Sequence, residues 1–181
     1  LACCEAYNIP VLILFNKIDL LNFEEVELVE ELQAMYENLG YQTLQVSSAE
    51  KLNLDKLQEI LKDKTCVFFG HSGAGKSTLA NALQPDLNLK TNEISETHNK
   101  GKHTTTFAQI HFWHFGGAVI DTPGVREFAM IDVEKEEIQH YFPEIFEKGR
   151  ECKFHTCKHI NERKCAVLEA LENGEILATR Y

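Results

Sequence analysis

Runs of apolar residues, each bounded by polar segments, predict the strands of this chain. Continuous apolar runs at 10–15 and 65–69 are typical of buried parallel strands, and the mixed segment 42–46 predicts another strand. Segments 107–115 and 117–121 predict a hairpin that turns at a glycine pair. In the first hairpin segment apolar and polar residues alternate, so we expect a half-buried edge strand with its apolar side inward.

Helices are predicted between these strands. Apolar residues recur at helical spacing from about 23 to 39 behind a capping-box-like start at Asn22 and Glu25. Shorter helices are expected over 53–62 and 76–83, and another over 166–172. Since strands alternate with helices over most of the chain, the fold class expected is α/β with a mostly parallel sheet.

Composition and charge narrow the function classes. The chain has 181 residues, of which 44% are hydrophobic and 25% charged, as in ordinary globular proteins. No apolar run approaches the roughly 20 residues that span a bilayer, so we expect no membrane partner. The net charge of -10 excludes a uniformly basic nucleic-acid binder. A local basic patch is still possible, because segment 148–164 carries six basic and two acidic side chains.

The six cysteines fall into two groups. Cys3, Cys4 and Cys66 lie in apolar surroundings and are expected to be buried thiols. The other three lie among histidines between residues 152 and 165, which favours metal binding in a reducing cytoplasm over a disulfide framework. We therefore expect a cytoplasmic protein.

The segment GHSGAGKS at 70–77 predicts a phosphate-binding loop, because it follows a predicted strand and opens a predicted helix. Its glycines allow backbone N–H groups to turn toward phosphates, and the helix N-terminus favours an anion. Lys76 can bring a positive charge to the outer phosphates, and the Ser77 hydroxyl can bind Mg²⁺. The alternative is a glycine-rich turn without a ligand.

The segment DTPG at 121–124 follows another predicted strand. A carboxylate at that strand end, Asp121, can hold Mg²⁺ through water, and the N–H of Gly124 can meet a γ-phosphate. By itself such a segment is also a common turn. Beside a phosphate loop it becomes a candidate sensor of the nucleotide.

The segment NKID at 16–19 directly follows the first strand and predicts a guanine site. Asp19 can accept two hydrogen bonds from the N–H edge of guanine, and adenine has no matching pair of donors. Asn16 would brace the loop, and the stem of Lys17 can cover the base plane. Backbone N–H groups of segment 47–49 could meet the guanine carbonyl.

Taken together, these motifs resemble those of Ras-like GTPases, but in a permuted order. The base motifs at 16–19 and 47–49 precede the phosphate loop at 70–77, whereas they follow it in most of that superfamily. This order, the segment GKHTTT at 101–106 and the later Cys/His cluster resemble the ribosome small-subunit-dependent GTPase A family, of the RsgA/YjeQ type. The resemblance implies a circularly permuted, Ras-like phosphate-loop domain.

The resemblance also implies roles for individual residues. Lys76 and Thr105 would be catalytic, with Ser77 and Thr105 as magnesium ligands, although Thr104 or Thr106 could replace Thr105. The position that carries a glutamine in many GTPases is Val125, so His103 is our candidate for orienting the attacking water. The implied nucleotide contacts come from all motifs: Asn16, Lys17, Asp19, Ser47, Ser48, Ala49, Gly70, His71, Ser72, Gly73, Ala74, Gly75, Lys76, Ser77, Thr78, Asp121 and Gly124.

The Cys/His cluster matches the zinc-site spacing of the family. Cys152, Cys157, His159 and Cys165 would form a closed Cys₃His site, which suits one structural Zn²⁺. His155 is a possible rival ligand with poorer spacing. Because so small a segment builds little apolar core, the metal would supply folding energy.

The domain organisation implied is a GTPase domain over 1–132 and a small helical zinc-binding domain over 133–181. In the family an RNA-binding OB-type domain precedes these, and a strand and helix precede 10–15, so we expect that this chain is part of a longer protein. The implied function is GTP hydrolysis, with Mg²⁺, that assists late maturation of the small ribosomal subunit and is stimulated by that subunit and its rRNA. A monomer is expected.

Two alternative functions can be distinguished from this one by particular features of the sequence. A permuted GTPase could act on another RNA or membrane target and would then lack the zinc cluster. A zinc-stabilised RNA-binding module could carry a vestigial nucleotide site, but four intact residues argue against it: Asp19, Lys76, Ser77 and Asp121. Titration with GTP, GDP and ATP separates these possibilities.

Overall fold

The computed structural model describes residues 1–89, 108–121, 133–135 and 137–181. The strands in this part are Leu12–Asn16 (β1), Gln42–Val46 (β2), Thr65–Val67 (β3), Gln109–Phe112 (β4) and Ala118–Asp121 (β5). The α-helices are Ala2–Ala6 (α1), Phe23–Asn38 (α2), Leu54–Leu61 (α3), Lys76–Leu83 (α4), Pro143–Gly149 (α5) and Ala166–Glu172 (α6). Short 3₁₀ helices lie at Ile18–Leu20, Pro85–Leu87 and Ile138–Tyr141.

The chain divides into two compact units. The strand unit comprises Leu12–Glu37 and Gln42–Glu127, and the cysteine unit comprises Leu1–Val11, Asn38–Tyr41 and Phe128–Tyr181. The domain boundary predicted after residue 132 falls beside a segment outside the described residues, and it stays a prediction.

The strands of the strand unit form two sheets in the described part of the chain. β1 pairs with β2 in parallel, with Asn16 opposite Val46. The second sheet has the order β3-β5-β4, in which β3 and β5 are parallel and β4 is antiparallel to β5. Parallel strands end at the same sheet edge, so the loops after β1 and β2 are neighbours, and the ends of β3 and β5 lie side by side.

Helices α3 and α4 bury their apolar sides in the core of the strand unit. Leu57 of α3 is fully buried, as is Val46 at the end of β2, and Leu83 of α4 is nearly so. α3 places its three leucines, at 54, 57 and 61, on one side because they recur at helical spacing. α4 spans 76–83 as predicted, so the core fixes the helix that carries the end of the phosphate loop.

Three expectations about burial or length are wrong. β3 ends at Val67, two residues short of the predicted strand. Ile110 and Phe112 of β4 are 59% and 76% exposed, because no described element covers that side of this edge strand. Cys3, Cys4 and Cys66 are partly rather than fully buried.

α2 confirms the predicted start of its helix. The backbone N–H of Asn22 donates to Glu25 Oε2 at 2.9 Å, and the N–H of Glu25 donates to Asn22 Oδ1 at 3.0 Å. This reciprocal pair satisfies two N–H groups that the helix itself leaves unpaired. Among the described residues, no helix is both long enough and apolar enough to cross a bilayer.

Candidate functional site

Asn16 joins the loop after β1 to the phosphate loop. Its side-chain Nδ2 donates to the carbonyl oxygen of Ala74 at 3.0 Å, although the two residues lie 58 positions apart. A Cβ added at Gly75 would lie 2.5 Å from the same Nδ2 and 3.7 Å from Cε of Lys17. The segments 16–19 and 70–77 therefore meet at one site, as the sequence predicts.

Asp19 is held by the loop after β2. It sits in the 3₁₀ turn Ile18–Leu20, and its Oδ1 accepts a hydrogen bond from the Ser47 hydroxyl at 2.5 Å. Ser47 is fully buried, and the Ser48 hydroxyl donates to Asn16 Oδ1 at 3.2 Å. Because β1 and β2 end side by side, both predicted base motifs form one small network around an exposed carboxylate.

The phosphate loop turns on glycines with positive φ. Gly73 and Gly75 have φ of +81° and +89°, in the left-handed region that residues with a Cβ rarely adopt. Lys76 begins α4, and its Nζ donates to the carbonyl oxygens of Gly70 at 2.7 Å and His71 at 2.8 Å. The ammonium group is thus held over the loop, while the N–H groups at the start of α4 favour an anion.

Ser77 and Thr78 lie in the first turn of α4. β5 ends at Asp121, and its pairing with β3 places this strand end at the edge where the phosphate loop starts. Of Asp121 only the backbone position is described. His103, Thr104, Thr105, Thr106, Gly124 and Val125 lie outside the described residues, so their predicted roles stay predictions.

The four predicted metal ligands come together in the cysteine unit. One ligand atom from each of Cys152, Cys157, His159 and Cys165 lies within 4.8 Å of the others. His159 Nδ1 is 3.6 Å from Cys152 Sγ and 3.4 Å from Cys165 Sγ, and the two sulfur atoms are 3.8 Å apart. Metal–sulfur bonds of about 2.3 Å in a tetrahedron give ligand separations of about 3.8 Å. The group therefore fits a four-coordinate metal ion.

Gln139 orients the histidine of this group, and sequence reasoning missed it. His159 Nε2 lies 2.9 Å from Gln139 Oε1, so an Nε2–H can donate to the amide while Nδ1 faces the sulfur atoms. Gly149 leaves room for the ring, since a Cβ there would lie 3.2 Å from His159 Nε2. The sequence offered no spacing signal for Gln139, because it precedes the cluster in a separate 3₁₀ turn.

The loop between the ligands is organised by a carboxylate. Glu162 accepts hydrogen bonds from the backbone N–H groups of Lys158 at 2.8 Å, Ile160 at 2.9 Å and Asn161 at 3.1 Å. These bonds, that of Lys158 foremost, lower the pKa of Glu162 to about 2. Tyr181 donates its hydroxyl to the carbonyl oxygen of His159, which ties the C-terminal residue to the same loop.

Burial makes charge unfavourable inside the group. Burial raises the pKa of the Cys157 thiol to about 11 and lowers the pKa of the His159 imidazole. Thiolates at this position therefore need a cation to compensate their charge, which a metal ion would supply. The rival ligand His155 does not belong to the group; it lines a cavity beside it.

Comparison with known proteins agrees with this arrangement. The sequence model of the RsgA GTPase family matches residues 1–131. The chain is 46% identical, over its full length, to the small ribosomal subunit biogenesis GTPase RsgA of Christiangramia forsetii, and 49% identical to that of Flavobacterium psychrophilum. It spans 58% and 56% of the length of these two relatives.

Two solved structures share the fold over 99% of this chain. YjeQ from Thermotoga maritima superposes with a TM-score of 0.77 at 37% identity, and the chain covers 59% of it. YloQ, described as a circularly permuted GTPase, superposes with a TM-score of 0.71 at 35% identity, and the chain covers 56% of it. The expected fold class, a circularly permuted α/β GTPase domain with a Cys₃His group, is confirmed. The chain belongs to the RsgA GTPase family.

Proposed function

We propose that this chain binds GTP and hydrolyses it to GDP and phosphate. The observation that carries this proposal is the hydrogen bond from Asn16 to Ala74, which joins a guanine-type loop to a phosphate-type loop. A nucleotide is the class of ligand that contacts both loops at once. Its base edge meets a carboxylate, and its phosphates meet a ring of backbone N–H groups.

Selectivity for guanine would rest on Asp19. The Ser47 hydroxyl occupies one of its oxygens and so fixes the carboxylate, whose remaining acceptor positions can take the paired N–H groups of guanine. Adenine would leave this acceptor unpaired, which costs binding free energy. Lys17 and the backbone of Ser48 and Ala49 would complete the base site.

Hydrolysis would proceed by in-line attack of water on the γ-phosphorus, with charge neutralised by Lys76 and backbone donors. Mg²⁺ would neutralise further phosphate charge, bound by Ser77 and Thr105 and, through water, by Asp121. His103 is proposed to accept a proton from the attacking water. A single-turnover assay of His103→Ala, with and without small subunits, tests this role. A variant that hydrolyses GTP at the wild-type rate under both conditions would exclude it.

The metal of the Cys₃His group is proposed to be a structural Zn²⁺. Three thiolates and one imidazole suit zinc, and four protein ligands leave no open position for catalysis. Elemental analysis of the purified chain should find one zinc per chain, and a Cys157→Ser variant should lose it. Retention of one zinc by that variant would contradict this ligand set.

The partner proposed is the small ribosomal subunit, because the matched relatives are named for its biogenesis. The basic segment 148–164 would meet rRNA phosphates, so that association weakens as salt rises. We propose a monomer that acts in the cytoplasm, where such subunits mature.

The test is GTP hydrolysis measured with and without purified small subunits. We expect a slow intrinsic rate that the subunits raise, and binding of GTP and GDP but not ATP. Binding of neither guanine nucleotide would favour a zinc-stabilised RNA-binding module instead. Hydrolysis that small subunits do not stimulate would favour a permuted GTPase with another target.

A further inference from the structure

A cavity of about 170 Å³ opens at the surface of the cysteine unit, beside two of the metal ligands. Nothing in the proposed reaction uses it. Two phenylalanine rings and three nitrogen-bearing side chains are among the residues that line it: Phe146, Phe154, His140, Arg150 and His155.

The two rings are exposed and each lies beside a cation. Phe146 is 39% exposed and Phe154 is 51% exposed. The guanidinium carbon of Arg150 is 5.7 Å from the centre of the Phe146 ring, and Nζ of Lys153 is 5.3 Å from the centre of the Phe154 ring. His140 also packs edge-on against Phe146, with ring centres 5.0 Å apart, so Phe154 is the more accessible of the two rings. Exposed aromatic rings next to positive charge are the combination on which bases of single-stranded nucleic acid stack.

Most positive charges of the basic segment 148–164 are available to an anion. Among the described residues, four exposed cations of the segment form no ion pair: Lys153, Lys158, Arg163 and Lys164. The carboxylate of Glu162 is occupied by three backbone N–H groups rather than by these cations. Arg150 pairs with Glu147 at 3.4 Å, but both side chains are 68% exposed, so that contact is weak.

The size of the cavity limits what it can hold. It suits one planar ring system and is far too small for an α-helix, which is about 10 Å across with its side chains. The side chains of His140, Arg150 and His155 add hydrogen-bonding groups that could meet a base edge. The chemistry of the site therefore favours a nucleotide over a protein segment.

We propose that this cavity binds one unpaired base of an RNA strand, stacked on Phe154 and Phe146, with its phosphates on Lys153 and the neighbouring cations. The proposal rests on the proposed association with the small ribosomal subunit and names the RNA feature that the cysteine unit reads. A base splayed from a loop or strand end is accessible for this contact, whereas a base inside a helix is not.

The test uses the zinc-loaded chain and a fluorescently labelled 12-nucleotide oligouridylate, with an RNA duplex of the same length for comparison. Phe154→Ala should weaken binding of the single strand about tenfold, because loss of one stacked base has an effect of that order. Phe154→Tyr should bind as the wild type does. Lys153→Gln should lower the salt dependence of binding, which Phe154→Ala should leave unchanged.

Matched controls separate stacking from folding. Phe23→Ala removes another exposed phenylalanine, 77% exposed in the strand unit, and should leave binding unchanged. Zinc content and melting temperature are measured for every variant. Should Phe154→Ala lose its zinc, Phe146→Ala provides the same test from α5 and should also weaken single-strand binding.

Three results would overturn the proposal. One is that both alanine variants bind the single strand with wild-type affinity. Another is that they lose affinity for the single strand and for the duplex to the same extent. The third is unchanged oligonucleotide binding with weaker binding to small subunits, which would assign the cavity to a protein surface. If small subunits fail to stimulate GTP hydrolysis by the wild type, the proposed function fails, whatever the oligonucleotide result.

Discussion

Asn16 hydrogen-bonds with two other loops through one amide group. Its nitrogen donates to Ala74 of the phosphate loop, and its oxygen accepts from Ser48 of the loop after β2. Aspartate has no donor and serine has one oxygen in place of two separate polar atoms, so neither could make both contacts in the same way. The side chain therefore aligns the segments that we propose to read the base and to bind the phosphates.

The close approach of Gly75 to Asn16 gives a prediction. Gly75→Ala should abolish most nucleotide binding, because the new Cβ would lie 2.5 Å from Asn16 Nδ2 and must displace it. Calorimetric titration with GDP measures the loss. Gly40→Ala is the matched control: its φ is also +89° but nothing lies within 4 Å of the added Cβ.

The control separates backbone strain from the clash. Gly40→Ala should lower the free energy of unfolding by about 1 kcal/mol, as expected for a residue with a Cβ in the left-handed region, and keep its GDP affinity. Equal GDP affinities for the two variants would show that the approach of Asn16 to Gly75 does not matter for binding.

Asp19 supports a second prediction. Asp19→Asn should reduce GTP affinity by about ten- to a hundredfold. The charged carboxylate can accept hydrogen bonds from two N–H groups, whereas the neutral amide has one accepting atom and one donating atom. The affinity for xanthosine triphosphate should rise, since its base offers a carbonyl where guanine has an amino group. Competition binding with both nucleotides measures this. A parallel loss of both affinities would argue against Asp19 as the base-reading group.

At this scale the sequence predicted contacts between residues of the recognised motifs but not contacts with residues outside them. Residues 16–19 and 70–77 could be expected to meet because a nucleotide must touch both. Gln139 could not be found, because its contact with His159 depends on how a short 3₁₀ turn packs beside the ligand loop. Such packing has no period in the sequence.

At the scale of elements, one buried ion pair fastens the C-terminal segment to α5. Arg180 Nε lies 2.6 Å from Glu144 Oε1, and the two side chains are only 6% and 8% exposed. The guanidinium carbon also lies 4.9 Å from the centre of the Phe142 ring. A planar guanidinium meets both carboxylate oxygens at once, so this contact fixes direction as well as distance.

Removal of one partner of this pair should be costly. Glu144→Gln should lower the free energy of unfolding of the cysteine unit by about 3 to 5 kcal/mol, because a neutral amide then replaces the buried carboxylate that Arg180 meets with two hydrogen bonds. Glu147→Gln is the matched control in the same helix: Glu147 pairs with Arg150 at the surface, so the change should be within about 1 kcal/mol.

Calorimetry of both variants checks this prediction, and the double variant Glu144→Leu, Arg180→Leu sharpens it. The double variant should regain much of the lost stability, because neither charge is then buried alone. Equal melting temperatures for Glu144→Gln and Glu147→Gln would contradict the assigned difference in burial.

The sequence predicted the bounds of most helices better than the burial of the strands. Helices α2, α3 and α4 were predicted within about two residues. The apolar periodicity of α3 and α4 also defines the core, whereas α2 buries no residue and its start is marked by the capping box. The apolar side of β4 was wrongly expected to be buried, because alternation shows which residues share a side but not whether anything covers it. Helix α1, five residues long, was not predicted, since it has little more than one turn to show a pattern.

At the scale of the whole molecule, the two units divide the chemistry between them. Asn16, Asp19, Ser47 and the phosphate loop belong to the strand unit, and the Cys₃His group belongs to the cysteine unit. The only tryptophan of the sequence, Trp113, is buried in the strand unit and so reports on that unit alone.

Removal of the proposed Zn²⁺ should affect one unit. A strong zinc chelator should unfold the cysteine unit, because its small core includes two of the cysteine ligands, Cys157 and Cys165. Circular dichroism should show the loss of helix, while Trp113 fluorescence and GDP affinity stay unchanged. A simultaneous loss of GDP binding would show that the metal also supports the nucleotide site.

The bond from Asn16 to Ala74 has a consequence for synthesis on the ribosome. Translation delivers β1, β2 and the base-reading loops before the phosphate loop exists, so Asn16 must wait for a partner that emerges 58 residues later. A nascent chain stopped before residue 70 would already display the purine-reading carboxylate, yet it could not retain a nucleotide. Affinity for the ligand would appear in one step, when α4 leaves the exit tunnel.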